Sequence, residues 1–348
     1  MLNQNILVCG GSGFIGTNLI YKLLKVNFTV INIDRQSYSS VPEKFKEYRK
    51  NKKYFFYKLN INNTKKIEKI ILKKKVNIIL NLANDSHVDR SIDNPKKFLI
   101  SNINSNIKFL NLLIKLQKKR KFFYIHFSTD EVYGDYKFYP NKETDRLEPN
   151  SPYSASKASI EMILNSFNRT YNFKYILIRT CNQFGKFQFT EKFIPTIINC
   201  LIKKKSIPIY GNGKNIREWL DVETFSKIIT HLLNKKEKLN STQILNIGSN
   251  IRISNKNLCI KIIRLFEKIN KNNFRKNKFK YIKDRPGHDR YYSLNTKKFF
   301  KLNISNKFNF EKKLEDTIKW YLENKKWIKY TEKKHSAKRL GLKLNIKG

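Results

Sequence analysis

The strongest constraint on this chain lies near its start, where the apolar run Ile6-Leu7-Val8-Cys9 passes straight into Gly10-Gly11-Ser12-Gly13-Phe14-Ile15-Gly16. Glycines at the first, fourth and seventh places of such a loop let the backbone leave a strand, turn tightly and enter a helix. Asp34 closes the next apolar run. Strand, glycine loop, helix, strand and acid in that order form a dinucleotide fingerprint. The pyrophosphate meets the helix N-terminus, and the acid meets the adenosine ribose hydroxyls. Asp34 would repel a 2′-phosphate, so NAD is expected rather than NADP, with Arg35 beside it as the one residue pointing the other way.

Beyond the loop, short apolar runs alternate with helical periodicity. Strands are expected over 5–9, 28–33, 54–59, 77–83, 122–128 and 174–180, and helices over 14–26, 64–74, 95–117 and 152–171. That alternation means βαβ units and an α/β, Rossmann-type doubly wound parallel sheet. The second half is less regular, with helical patterns over 191–204, 222–233, 255–269 and 311–323 between loops rich in Gly, Asn and Pro. The expected division is an NAD-binding Rossmann domain over 1–180, to which 218–250 returns, and a smaller mixed α/β substrate domain over 181–217 and 251–330. Residues 331–348 read as a basic tail, the pattern being poor from Lys325 onward.

The formal net charge is +45, from 72 Lys plus Arg against 27 Asp plus Glu. Such a field attracts polyanions without specificity. The lysines are spread along the whole chain rather than gathered on one face, and they accompany abundant Asn, Ile, Phe and Tyr, which share A/T-rich codons. A specific nucleic-acid function is therefore not expected. No apolar stretch is long enough to span a membrane. The start has no basic region or cleavage site, which argues against a signal peptide. Cys9, Cys181, Cys200 and Cys259 show no paired spacing and read as reduced thiols of a cytoplasmic protein. No metal site is expected.

Tyr153 and Lys157 stand four apart at the start of a helical pattern, so they share a face. An ammonium beside a phenol, with an oxidised nicotinamide nearby, should lower the phenol's pKa and make it a base. Alone, Tyr-x-x-x-Lys is a common surface pair. After a Rossmann half, and with Ser128-Thr129 ending the preceding strand, it reads as catalytic. Asp130 and Glu131 follow that strand directly. Two acids are usually a solvated loop, but the carboxyl end of a strand in this sheet is where ligands bind, so an acid and a base are expected.

With these residues in hand, the chain resembles the dTDP-glucose 4,6-dehydratase family of nucleotide-sugar enzymes over nearly its whole length. The matching runs are Ser86-His87-Val88-Asp89-Arg90-Ser91-Ile92, Ser128-Thr129-Asp130-Glu131-Val132-Tyr133-Gly134-Asp135 and Ser151-Pro152-Tyr153-Ser154-Ala155-Ser156-Lys157-Ala158. Later runs are Glu191-Lys192-Phe193-Ile194-Pro195, Pro208-Ile209-Tyr210-Gly211, Arg217-Glu218-Trp219-Leu220 and Asp284-Arg285-Pro286-Gly287-His288-Asp289. The resemblance implies NAD as cofactor, a nucleotide-diphosphate hexose as substrate and a homodimer paired through the helices over 95–117 and 152–171. It implies that Tyr153 takes the C4 hydroxyl proton during oxidation, with Thr129 bonded to the same oxygen. Glu131 then removes the C5 proton and Asp130 protonates the departing C6 hydroxyl. Around the cofactor it places Gly10, Gly13, Phe14, Ile15, Gly16, Asp34, Asn60, Ile61, Leu82, Ala83, Ser86, Tyr153, Lys157 and Gln183. Around the substrate it places Ser86, His87, Thr129, Asn182, Lys192, Pro208, Tyr210, Arg217, Asn250, Arg285 and His288.

Departures from the family pattern include Asn84-Asp85 for Ala-Glu, Asn60 for an Asp, Gln183-Phe184 for Asn-Tyr, and Lys186 and Thr190 for prolines. None removes a group from the chemistry. A nucleotide-sugar 4-epimerase needs the Tyr–Lys pair but not Asp130-Glu131. A non-catalytic NAD-binding protein would need none of Thr129, Asp130, Glu131, Tyr153 and Lys157.

Overall fold

Ile6 and Val8 alternate with Leu7 and Cys9 along the first strand and all four are buried, so this strand has core on both faces. That pattern belongs to a parallel sheet between helical layers. The computed structural model, which describes residues 4–135, 139–239, 242–271, 279–334 and 340–341, has this architecture. Its strands are β1 (Asn5–Cys9), β2 (Thr29–Asp34), β3 (Tyr54–Lys58), β4 (Ile78–Asn81), β5 (Phe123–Thr129), β6 (Ile176–Thr180), β7 (Asn182–Phe184), β8 (Ile207–Tyr210), β9 (Ile216–Asp221), β10 (Gln243–Ile247), β11 (Arg252–Ser254) and β12 (Phe279–Ile282). Its helices are α1 (Phe14–Lys25), α2 (Thr64–Lys73), α3 (Val88–Asp93), α4 (Pro95–Leu99), α5 (Ser105–Gln117), α6 (Pro152–Tyr171), α7 (Phe193–Ile202), α8 (Val222–Asn234), α9 (Asn255–Asn270), α10 (Lys297–Phe300), α11 (Phe310–Glu323) and α12 (Lys325–Lys334).

Seven strands form one sheet in the order β3-β2-β1-β4-β5-β6-β10, with every neighbouring pair parallel. One face packs on α1 and α8 through Leu19, Ile20, Leu23, Phe225 and Ile228. The other packs on α2, α5 and α6 through Ile67, Ile71, Phe109, Leu113, Ile160 and Leu164. Strand order reverses between β1 and β4, which opens a crevice beyond their carboxyl ends. The chain leaves the sheet after β6 and returns for β10, whose Gln243 pairs with Ile176. A second core gathers Phe184, Ile194, Trp219, Leu258, Tyr321 and Trp327. Around it lie the small sheets β11-β9-β7 and β12-β8.

Besides the short helix α3 and strands β7–β12, which the sequence reading did not contain, two departures have a clear local cause. The expected helix over 95–117 is interrupted: α4 and α5 flank a π-helical turn at Ile100–Asn104. Asn102 causes the break. Its buried amide turns inward to the Asp85 backbone (3.1 Å) and to Ser156 Oγ (3.0 Å), while Asn106 Nδ2 donates to the Asn102 carbonyl at 2.7 Å. The second departure is at the C-terminus. Residues 325–334, read as poorly patterned, form α12, because Trp327, Ile328 and Thr331 make a narrow buried stripe that the surrounding lysines conceal. Of the expected tail, 335–339 and 342–348 lie outside the described residues.

Trp327 is 1% exposed, with its ring edge-on to Phe45 and Phe187 at 5.5 and 5.8 Å. Trp327→Ala should therefore lower stability by about 3–5 kcal/mol in a denaturant titration. A loss well under about 1 kcal/mol would mean that α12 is not part of the core.

Candidate active site

The groove begins at the glycine loop. Gly10 has φ +75°, and a Cβ there would meet the Ala83 backbone at 2.8 Å. A Cβ on Gly16 would lie 2.6 Å from the Gly10 carbonyl oxygen. No side chain caps α1 at Gly13, so its first-turn N–H groups are left for an anion. Asp34, at the end of β2, accepts the Ser12 N–H at 2.9 Å and the Gln36 N–H at 2.6 Å, which fixes the loop against the strand. Gly10, Gly13, Phe14, Ile15, Gly16, Asp34, Asn60, Ile61, Leu82, Ala83, Ser86, Tyr153 and Lys157 all line this one cavity. An unhindered backbone cradle, an open helix N-terminus and a carboxylate at the ribose position fit a dinucleotide. Gln183 lies away from the cavity wall, buried with its Nε2 on Thr180 Oγ1 at 3.3 Å.

Tyr153 sits in the first turn of α6, which Pro152 opens and Ser151 and Ser154 close with a reciprocal capping box. Its backbone N–H donates to Ser91 Oγ at 3.1 Å. Burial, and after it the Glu131 carboxylate, push the phenol well above its usual range, with the Thr129 hydroxyl pulling the other way. This is opposite to the lowering expected from a neighbouring ammonium. Lys157 instead donates to the Phe127 carbonyl at 2.5 Å, and burial brings its own pKa down to about 8.

Thr129 ends β5, and the Asp130–Tyr133 segment makes a single 3-10 turn. Thr129, Asp130 and Glu131 stand outside the wall of the dinucleotide groove. Tyr153 links them to it through Thr129 and Glu131. Asp130 is 2% exposed. Its Oδ1 accepts from Thr129 Oγ1 at 3.2 Å, and its Oδ2 is buried with no hydrogen-bond partner among the described residues. Burial first, then the Glu131 and Glu218 carboxylates, push Asp130 well above the carboxylate range. Glu131 is raised as well, by burial, but Arg285, Arg217 and Lys192 draw it back down. Two adjacent carboxyls thus occupy unlike environments, one with an orphaned oxygen and two further carboxylates about it, the other facing three cations. Such a difference lets one act as acid and the other as base.

The same cations line the far end. Lys192 Nζ donates to the Ser86 carbonyl at 2.8 Å. Arg217 Nη2 donates to the Asp289 carbonyl at 2.7 Å, its guanidinium stacked over Tyr292 at 4.2 Å. Asp89 holds Arg285 Nη1 (3.0 Å) and the Tyr210 hydroxyl (2.8 Å). His288 lies edge-on to Tyr210 at 6.1 Å and is bonded to Asp284 at 2.6 Å. Burial together with Arg285 and Arg217 lowers it to about 4. Pro208 is on β8 beside Tyr210.

Other expected residues are occupied differently. The His87 ring caps α3 by accepting the Arg90 N–H at 3.4 Å and lies 3.4 Å from Glu191. Asn182 opens β7. Asn250, at φ +63°, gives its backbone N–H to Glu218 at 2.9 Å. Several site residues went unassigned in the sequence reading. Asp89 and Glu191 lay inside matched runs without a role, and only their contacts supply one: Glu191 accepts the Tyr38 hydroxyl at 2.7 Å and Arg90 at 3.2 Å. Lys46 is buried beneath the glycine loop, donating to Ser12 Oγ at 2.8 Å. No motif marks it.

The comparisons with known proteins agree with this geometry. The GDP-mannose 4,6 dehydratase family model matches residues 7–317. The chain belongs to this dehydratase family. The Haemophilus influenzae dTDP-glucose 4,6-dehydratase is 36% identical over 336 residues, covering 92% of this chain and 98% of that protein. A Bacillus anthracis dTDP-glucose 4,6-dehydratase solved in complex with NAD superposes with TM-score 0.83 at 33% identity, covering 94% of this chain and 100% of that one. The Streptomyces venezuelae dTDP-glucose 4,6-dehydratase DesIV, with NAD and dTDP bound, gives TM-score 0.86 at 28% identity over 94% of this chain and 100% of that one.

Lys157 offers a direct test of the site's electrostatics. Its folded pKa lies below its unfolded one, so the unfolded chain binds the extra proton between about 8 and 10.5. Stability from this group therefore rises with pH across that window. Lys157→Met should abolish that rise and be more stable than the parent at neutral pH. Equal pH slopes in the two proteins would contradict the assignment.

Proposed function

We propose that this enzyme converts dTDP-glucose to dTDP-4-keto-6-deoxyglucose, a hydro-lyase reaction with NAD as cofactor. The observation that carries the reading is the pair Asp130–Glu131, adjacent at the carboxyl end of β5, both raised by burial but Asp130 pushed further by neighbouring carboxylates while three cations draw Glu131 back. The chemistry supplied by bound NAD is hydride acceptance from C4 and its return at C6. Tyr153 receives the C4 hydroxyl proton, with Thr129 bonded to the same oxygen. The ketone so formed acidifies C5–H. Glu131, the carboxyl kept nearer to ionisation by cations, removes that proton. Asp130, held protonated by burial, gives its proton to the departing C6 hydroxyl. Each such proton transfer contributes roughly 10²–10⁴ in rate. Arg217, Arg285 and Lys192 bind the diphosphate, Arg by a planar fork and Lys as a point charge.

The proposal extends to organisation. A dinucleotide domain spans 1–180 with 218–250, and a nucleotide-sugar domain spans 181–217 and 251–330. The enzyme is a cytoplasmic homodimer. Its four cysteines are free, and Ile100 and Met162 stand 51% and 53% exposed on the segment joining α4 to α5 and on α6. Sedimentation should give a dimer at micromolar concentration, and a lone monomer would contradict it.

Glu131→Gln preserves size and hydrogen bonding but removes the base, so product formation should fall about 10²-fold or more. Oxidation at C4 should continue, seen as reduced-nicotinamide absorbance on adding substrate. Tyr153→Phe should abolish that absorbance. Product at the parent rate from Glu131→Gln would remove the dehydratase reading and restore an epimerase. Since Glu131 works deprotonated and is raised by burial, the parent's kcat should decline with falling pH at a point above the ordinary carboxylate range. A decline only at an ordinary Glu pKa would contradict this environment.

A further inference from the structure

The groove carries two opposed signals about its cofactor. Asp34 disfavours a 2′-phosphate, whereas Arg35, the next residue, has the planar fork that binds one. The structure gives that fork a partner. Arg35 Nη2 forms an ion pair with Asp85 Oδ1, and Arg35 Nη1 donates to Ser101 Oγ at 3.0 Å. Ser101 Oγ in turn donates to the other Asp85 oxygen at 3.0 Å. Arg35, Asp85 and Ser101 all line the groove beside Asp34.

Asp85 is placed with care. Its N–H donates to Asn102 Oδ1 at 2.8 Å and its carbonyl accepts from Asn102 Nδ2 at 3.1 Å. Asn102 itself belongs to the π-helical turn and is bonded to Ser156 of α6. The ion pair contributes little to the fold, because its side chains are 40% and 25% exposed and such pairs are weak. An anchored carboxylate that brings so little stability is better explained by what it does to Arg35.

We propose that Asp85 is a cofactor-discriminating residue: it occupies the Arg35 guanidinium, with Ser101, and so denies a 2′-phosphate the arginine fork that, among the described residues, lines the groove beside Asp34. The inference rests on the dinucleotide reading of the groove. Removing Asp85 frees Arg35 and turns it into a phosphate ligand, while Asp34 still opposes NADP.

The purified protein is incubated with equal excess concentrations of NAD and NADP and desalted. The retained nucleotide is released with denaturant and quantified. The parent should release NAD. Asp85→Ala should raise the NADP-to-NAD ratio roughly tenfold or more, the worth of a charge-assisted contact. Asp85→Asn, which keeps the shape, should move the ratio in the same direction. The Arg35→Ala/Asp85→Ala double variant should return to the parent ratio. A parent ratio in both single variants overturns the proposal, and so does a rise that persists without Arg35. A parent that releases neither nucleotide overturns the groove reading, and with it this inference.

Discussion

Glu161 lies one helical turn beyond Lys157 on α6, and its buried carboxylate ties α6 to strands β5 and β6. It receives Arg179 of β6 through Nε at 3.0 Å and Nη2 at 2.6 Å, and it accepts the Ser128 hydroxyl of β5. Arg179 reaches on to the Tyr133 hydroxyl at 2.7 Å, and Tyr133 to Asn246 of β10 at 2.8 Å. One buried pair therefore fixes α6, which carries Tyr153 and Lys157, against the strand and turn that carry Thr129, Asp130 and Glu131. Loss of either partner would strand a buried charge, at a cost of several kcal/mol. The pair specifies the register between Tyr153 and Lys157 on one side and Asp130 and Glu131 on the other, the two groups to which the proposed oxidation and elimination are assigned.

Around this anchor the site divides by chemistry. The dinucleotide end is built largely from backbone: glycines without side chains, an uncapped helix start and Asp34. The sugar end is built from cations steadied by acids, Arg285 on Asp89 and His288 on Asp284. Tyr153 stands between the two. Burial and Glu131 keep its phenol protonated in the protein alone. An oxidised nicotinamide bound beside it would bring a positive charge that favours ionisation. In the proposed reaction, loss of the phenol proton is thereby coupled to cofactor binding.

Much of the dinucleotide half was legible because long periodic segments and a glycine loop leave strong local signals. Helix α6 has the expected bounds, and the six early strands differ from expectation by at most two residues at either end. The second half was harder to read. Strands β7 and β11 have three residues each, too few to display alternation. The stripe of α12 was hidden by its lysines, and the π turn depends on where one Asn side chain finds partners. At the site, sequence singled out Tyr153, Lys157, Asp130 and Glu131 from type and place, and the structure places the first two on the groove wall and the other two outside it. It could not tell that Lys157 turns to a carbonyl, that the His87 ring caps a helix, or that Asp85 holds Arg35, since those depend on tertiary contacts.

In the proposed reaction one hydride leaves C4 and is returned at C6 after water is lost between C5 and C6. Substrate carrying deuterium at C4 tests it most directly. Nuclear magnetic resonance or mass analysis of the product should find that deuterium at C6, with a solvent proton at C5. Deuterium found at C4 of a sugar that keeps its C6 hydroxyl would contradict the account and make the protein an epimerase.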